Sequence, residues 1–210
     1  MSKECTSLHK LFNNLPRFYF PFDKTRIPLN GIYILFENGE TGHGLDRIVR
    51  IGTHTGANQL RSRLYQHYIL ENKDRSIFRK NIGRTILNKR KDPYLKIWQI
   101  DFTTRNKKVE FGHLINQEYQ SQIESEVSKY IQENFSFCVF EVKNAEKRLE
   151  LESELISTVS ACNECKSSKS WLGSYSPAEK IKSSGLWQVN KLYNLPVSND
   201  DINYLTSLLK

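Results

Sequence analysis

Residues 31–67 read GIYILFENGETGHGLDRIVRIGTHTGANQLRSRLYQH, and their pattern decides the fold. Ile32, Ile34, Leu35 and Phe36 form one short apolar run, and Ile48, Val49 and Ile51 form a second. Glu37 to Asp46 between them carries Gly39, Gly42 and Gly44, so the segment predicts two strands joined by a glycine-rich loop. Beyond Gly52 a polar turn, Thr53 to Asn58, leads to Leu60, Leu64 and Tyr68 at spacings of four. That spacing predicts a helix with one buried edge, and Arg63 and His67 ride on it.

The flanking sequence reads as support for this unit. Residues 4–13 form a short helix with Leu8, Leu11 and Phe12. Residues 15–28 hold three prolines together with Phe18, Tyr19, Phe20 and Phe22, which predicts an extended arm packed on the core. The same aromatics would suit stacking on bases. Asp74 is placed to cap a second helix ending near residue 88, with Phe78, Ile82 and Ile86 on its stripe and Gly83 marking a close contact. On that helix Arg75 with Arg79, and Lys80 with Arg84, are i, i+4 pairs assigned to the remaining surface. YLKIWQIDF (94–102) alternates as a strand, and 116–134 is a long helix with Tyr119, Ile123, Val127 and Ile131 in register. FSFCVFEV (135–142) reads as the third core strand, followed by a helix from Asn144 to Cys162. A glycine- and serine-rich loop precedes LWQVN (186–190), and Ser198 with Asp201 forms a capping-box pattern for a last helix. The expected fold is α/β (α+β): a small mixed or antiparallel sheet of three core strands flanked by helices. The arm occupies 1–29, the core 30–160 with a helical insertion at about 73–134, and a C-terminal extension 161–210, all in one compact domain.

With 210 residues and 38% hydrophobic content, the chain can bury a proper core without covalent staples. Cysteines stand at 5, 138, 162 and 165, and only Cys162 and Cys165 have a ligand-like spacing. A zinc site needs four ligands; with no second CxxC and no paired histidines, the pair reads as helix-end thiols in a reducing compartment. No stretch approaches the ~20 apolar residues of a membrane span, and MSKECTSLHK lacks the apolar segment of a signal peptide. The expectation is a soluble cytoplasmic protein without a membrane partner, its oligomeric state, monomer or homodimer, left open. Of the net charge of +8, much is local. Residues 73–91 hold eight Lys or Arg (Lys73, Arg75, Arg79, Lys80, Arg84, Lys89, Arg90, Lys91) against one acid, Asp74, a balance of +7.

Leu149, Leu155, Ile156 and Val159 lie at i−3, i+3, i+4 and i+7 from Glu152, which places Glu152 inside the apolar stripe while the other glutamates of that helix point largely away. A carboxylate there is costly unless it is paired with a lysine or arginine or holds a metal.

The order GIY (31–33), an IG dipeptide closing the next strand (51–52), Arg63 four residues before His67, and Glu152 followed by Leu155-Ile156 resembles the GIY-YIG nuclease domain, whose members cut DNA phosphodiesters. Arg50 stands where the second motif usually has tyrosine, and the segment before it is longer than usual. The resemblance implies an Mg²⁺-dependent (or Mn²⁺-dependent) DNA endonuclease of restriction, repair or mobile-element type. Tyr33 would accept a proton from water, directly or through a neighbour. A phenol is a weak base at neutral pH unless a cation or histidine draws off its proton, and His67 and Arg50 are the neighbours expected. Arg63 would hold the scissile phosphate, Glu152 the metal, and Asn190 a further phosphate oxygen. With this resemblance the basic segment reads as a DNA surface carried by Arg75, Arg79, Lys80, Arg84, Lys89, Arg90 and Lys91. The competing readings are an inactive DNA-binding module and a structure-selective RNA nuclease.

Overall fold

The computed structural model describes residues 2–209. Its elements are α1 (Ser2–Asn13), β1 (Phe18–Tyr19), β2 (Gly31–Gly42), β3 (Leu45–Gly52), α2 (Leu60–Tyr68), α3 (Ile77–Lys89), α4 (Leu95–Trp98), α5 (Arg105–Phe111), α6 (Gln117–Asn134), β4 (Phe135–Glu141), α7 (Ala145–Ser160), α8 (Glu179–Ser184) and α9 (Asn199–Leu208). The strands form one antiparallel sheet in the order β1-β4-β2-β3. It has four strands where the sequence suggested three, because the aromatic arm pairs Phe18 with Phe137 and Tyr19 with Ser136. Phe18 stacks on Phe137 at 5.2 Å and Phe22 meets the edges of Phe137 and Tyr68 at 5.0 and 5.4 Å, so the arm packs on the core.

The two central strands are longer than their apolar runs. Gly42 pairs with Leu45, leaving His43-Gly44 as a two-residue turn with φ of +54° and +75°. Positive φ at both central positions gives the twist that suits a tight hairpin, so Glu37 to Asp46 continues the strands instead of forming a loop. Register shifts near Leu35/Phe36 bend the hairpin. On one sheet face Ile32, Ile34, Phe36, Ile48 and Phe140 pack under α1, α7 and α9. On the other, Tyr33, Leu35, Val49 and Phe137 meet α2, α3, α6 and the two tryptophans Trp171 and Trp187.

Within the insertion two expectations change. Ser76, not Asp74, caps α3, its Oγ accepting from Arg79 N at 3.2 Å. Asp74 instead accepts from Lys73 Nζ and Lys80 Nζ, each at 2.9 Å, and from Phe102 N at 3.2 Å. Residues 94–102 form no strand: Asp92 Oδ1 accepts from Tyr94 N at 2.9 Å, a turn starts there, and the short α4 buries Trp98. The indole lies against Gly83 and donates to Lys80 O at 3.0 Å. Among the described residues no neighbouring strand offers the ladder that alternation alone would require. α5, capped by Thr104, buries none of its residues and has no apolar stripe to announce it.

The Trp98 contact is testable. A Cβ on Gly83 would lie 2.3 Å from Trp98 Cζ2. Gly83→Ala gains about 1 kcal/mol of helix propensity but meets an overpacking cost of about 1–3 kcal/mol. A lower melting temperature is expected, whereas Gly112→Ala, where a Cβ meets nothing within 4 Å, leaves it unchanged or higher. Equal melting of Gly83→Ala and wild type would show that the indole yields.

Candidate active site

The site forms where β3 ends, and backbone register places its first members. Tyr33 pairs with Gly52 and Leu35 with Arg50, so Tyr33 and Arg50 are diagonal neighbours on one face. The Tyr33 ring crosses Gly52 so closely that a Cβ there would stand 2.2 Å from the hydroxyl; the glycine of the IG pair is a steric requirement. Arg50 Nε donates to the Tyr33 hydroxyl at 3.4 Å, and that hydroxyl lies 2.8 Å from His67 Nε2. On the far side of the imidazole, Nδ1 lies 2.7 Å from Ser76 Oγ. This donor order sends the phenol proton to Nε2 and leaves the imidazole proton on Nδ1, donated to Ser76. Burial, helped by the Arg63, Arg50 and Arg79 guanidiniums, holds the His67 pKa well below its ordinary value. The ring is neutral at pH 7 with a lone pair facing Tyr33.

In front of this chain lies a cleft of ≈450 Å³ lined by Thr53, Gln59, Arg63, Gln66, Glu152 and Lys191 among others. An adjoining ≈200 Å³ hollow shares Arg63, Glu152 and Lys191 and adds Arg50, Asn81, Gln188 and Asn190. Arg63, Arg50, Glu152 and Asn190 are thus brought together, while Tyr33 and His67, 1% and 0% exposed, stand behind Arg50. Arg63 Nη1 is held by Gln66 Oε1 and Arg75 O, both at 3.1 Å. Glu152 reaches the site from the opposite face of the sheet: its Oε1 accepts from Thr53 N at 3.0 Å and its Oε2 from Lys191 Nζ at 2.5 Å. Of the other glutamates on α7, Glu154 does not point away; it is 8% exposed, and burial raises its pKa.

Sequence reading missed Lys191, Asn81, Ser76 and Trp187. Lys191 follows the flagged Asn190 at φ +62°, a conformation with no local sequence signature. Asn81 is 1% exposed and its Nδ2 has no hydrogen-bond partner among the described residues. Trp187 is held by Glu37, whose carboxylate accepts from Trp171 Nε1 at 2.7 Å, Trp187 Nε1 at 2.8 Å and the Tyr130 hydroxyl. In turn Trp187 O accepts from Arg50 Nη1.

The family model described as a GIY-YIG domain matches residues 9–209. The chain belongs to the GIY-YIG family. Members of that family are generally nucleases. No curated protein and no solved structure matches the chain.

The basic segment of this GIY-YIG chain is only partly a surface. Arg79 is fully buried: Nε and Nη2 donate to Glu124 Oε2 at 3.2 and 2.9 Å, and Nη2 also to Ser128 Oγ at 2.9 Å. Lys80 is buried on Asp74, and Arg84 is half-buried with Nη1 on Asn81 Oδ1 at 2.9 Å. The i, i+4 pairs expected on the open face are therefore corrected; partner acids on Glu124 and Asp74 draw two cations inward. Arg75, Lys89, Arg90 and Lys91 are exposed, and Arg90 is paired with Glu126. The cysteine expectation also changes. Cys162 and Cys165 come together with Cys5 and His43, their donor atoms all within 4.8 Å of one another. No helix of the described residues is long and apolar enough to cross a membrane.

The depressed His67 pKa has a thermodynamic consequence. Below the unfolded value of about 6.5 the unfolded chain takes up a proton that folded His67 refuses, so stability falls as pH drops from 6.5 toward the folded pKa. His67→Gln, which cannot protonate, should flatten this loss: wild type exceeds the variant by more at pH 7.5 than at pH 5 in thermal melts. A constant difference across that range would place the acid sensitivity elsewhere.

Proposed function

We propose that the protein is an endonuclease hydrolysing DNA phosphodiesters with the help of a divalent cation, Mg²⁺ or Mn²⁺. The observation that carries this reading is the convergence of Arg50, Arg63 and Asn190 on one hollow that the Glu152 side chain also lines. Two guanidiniums match the non-bridging oxygens of a phosphate, and their charge offsets what the transition state gains.

In this reading Arg63 holds the scissile phosphate and Arg50 serves both ends of the site, touching the hollow on one side and the Tyr33 hydroxyl on the other. Tyr33 donates to His67 Nε2 and accepts from Arg50, so its oxygen would take the proton of the attacking water in concert with passing its own toward His67, with no free phenolate formed. Ser76 keeps His67 in the accepting tautomer. Asn190 and Lys191 close the hollow from the C-terminal segment. The residues fit a hydrated cation: Glu152 is a half-buried carboxylate opening on the cleft, and the Lys191 ammonium already places a positive charge 2.5 Å from Oε2. Mg²⁺ is commonly held by one or two carboxylates with substrate phosphate and waters. Bound there, the ion would supply charge neutralisation for the phosphate and leaving oxygens.

The Lys191–Glu152 pair also favours a second reading, a GIY-YIG module that binds DNA without cutting it, since the pair satisfies Glu152 without a metal. Plasmid nicking separates the two. Wild type should nick in Mg²⁺ or Mn²⁺, and Glu152→Ala should abolish nicking while DNA affinity stays within about a few-fold, because the carboxylate serves the reaction more than ground-state binding. Arg63→Ala and Tyr33→Phe should each lower the single-turnover rate by about two decades or more. Folded wild type that binds DNA yet never nicks supports the module.

The exposed cations Arg75, Lys89, Arg90 and Lys91 are the remaining DNA-tracking candidates. Each lost phosphate contact lowers the slope of log K against log salt by about 0.9 on duplex DNA, so replacing all four with glutamine should lower it by about 3–4. The loss should be similar on unrelated sequences, because backbone contacts do not read bases. An unchanged slope moves the DNA surface to the cleft rim.

A further inference from the structure

Four side chains that the nuclease chemistry does not use meet on the sheet face opposite Tyr33. Cys5 comes from α1, His43 from the tip of the β2–β3 hairpin, and Cys162 and Cys165 from the segment after α7. All four side chains are buried: the cysteines are 0%, 5% and 5% exposed, and the His43 side chain 5%. Cys5 Sγ lies 3.6 Å from Cys165 Sγ, and Cys162 Sγ lies 3.4 Å from His43 Nε2. A tetrahedral zinc ion with Zn–S of about 2.3 Å and Zn–N of about 2.0–2.1 Å separates two thiolates by about 3.8 Å and a thiolate from an imidazole nitrogen by about 3.6 Å. The observed spacings match those edges, and all four cysteines of the chain are free thiols.

Two further observations point to a built site. His43 occupies the first turn position at φ +54°, where asparagine or glycine is the favoured residue. Strain of this kind persists where surrounding structure or function fixes the residue. Its Nδ1 lies 3.0 Å from Thr6 Oγ1, an outer hydrogen bond that fixes the ring and leaves Nε2 as the inward lone pair. Beside it, Gly42 lets the hairpin approach the cysteine segment: a Cβ there would stand 2.8 Å from Cys165 Cβ.

We propose that Cys5, His43, Cys162 and Cys165 bind one structural Zn²⁺. Binding releases the three thiol protons to solvent, and the resulting thiolates with the neutral imidazole complete the tetrahedron. Four protein ligands leave no open position, so the ion is structural and takes no part in hydrolysis. It ties the first helix, the hairpin tip and the end of α7 together. Cys162 lies ten residues beyond Glu152, about 15 Å by helical rise, so the clamp anchors the helix that carries Glu152 without touching the cleft. The inference stands whether or not the protein cuts DNA.

Full-length protein purified without added metal or chelator should contain about one zinc per chain by elemental analysis, as one four-ligand site requires. Cys138→Ala, which alters a thiol outside the cluster, should keep it, and Cys162→Ser with Cys165→Ser should lose it. Should the double variant fail to fold, His43→Asn serves instead, because asparagine suits the turn. Its zinc affinity should fall by more than the ~10–100-fold typical of an outer-shell change. Wild type stripped and reloaded with Co²⁺ alone should show thiolate-to-cobalt charge transfer and the strong ligand-field bands of tetrahedral geometry, and a strong chelator should lower its melting temperature. Folded wild type with four reactive thiols and no uptake of Zn²⁺ or Co²⁺ overturns the proposal, as does a Cys5–Cys165 disulfide in the purified protein.

Discussion

The outer edge of β3 imposes the constraint from which the site follows. An unpaired strand edge presents backbone groups that need partners, and three separate parts of the chain supply them at β3. His9 Nε2 on α1 accepts from Ile48 N at 3.3 Å, Trp187 N donates to Val49 O at 2.8 Å, Gln188 Oε1 accepts from Ile51 N at 3.0 Å, and Glu152 Oε1 accepts from Thr53 N at 3.0 Å. The same contacts bring α7 and the C-terminal segment to the end of the strand. Covering the edge and assembling the cleft are one structural event, and residues 186–191 are part of the site although they lie far along the chain.

Electrostatics around that edge divide into two kinds. Arg47 and Arg79 are almost wholly enclosed with Glu40 and Glu124, and their guanidiniums also hold Gly185 O at 2.6 Å and His67 O at 3.3 Å. Removing one partner of such a pair leaves an uncompensated buried charge costing about 3–5 kcal/mol, so these arginines belong to the frame. Arg50 and Arg63 instead border open volume and have unspent donors. That difference, invisible in a count of basic residues, separates structural cations from those available to a phosphate. Burial, helped by these guanidiniums, also explains why His67 is neutral, which makes it a hydrogen-bond acceptor for Tyr33.

α7 joins the two ends of the molecule. Its middle carries Glu152 to the cleft, and just beyond its C-terminus Cys162 and Cys165 meet α1 and the hairpin tip. One helix thus places a carboxylate from its middle and leads directly into two thiols of the cluster. The thiol cluster also depends on the length of the β2–β3 hairpin, whose tip reaches the thiols only because the glycine-rich stretch continues as strand.

The sequence by itself determined what depends on neighbours within a few residues. Strands at 32–36 and 48–51, the Arg63–His67 spacing on one helix, the Ser198 capping box and the inward glutamate at 152 are all set by periodicity and local hydrogen bonding. Arg50 beside Tyr33 was also legible, because adjacent strands of a hairpin fix register. Tertiary structure decided the rest. Whether Arg79 faces solvent or Glu124 depends on a partner 45 residues away; that Lys191 meets Glu152 depends on one 39 residues away. The Cys5–His43–Cys162–Cys165 cluster needs three chain segments to converge. Such pairings follow from which backbone edges and charges must be satisfied once the chain has folded, and no local pattern records them.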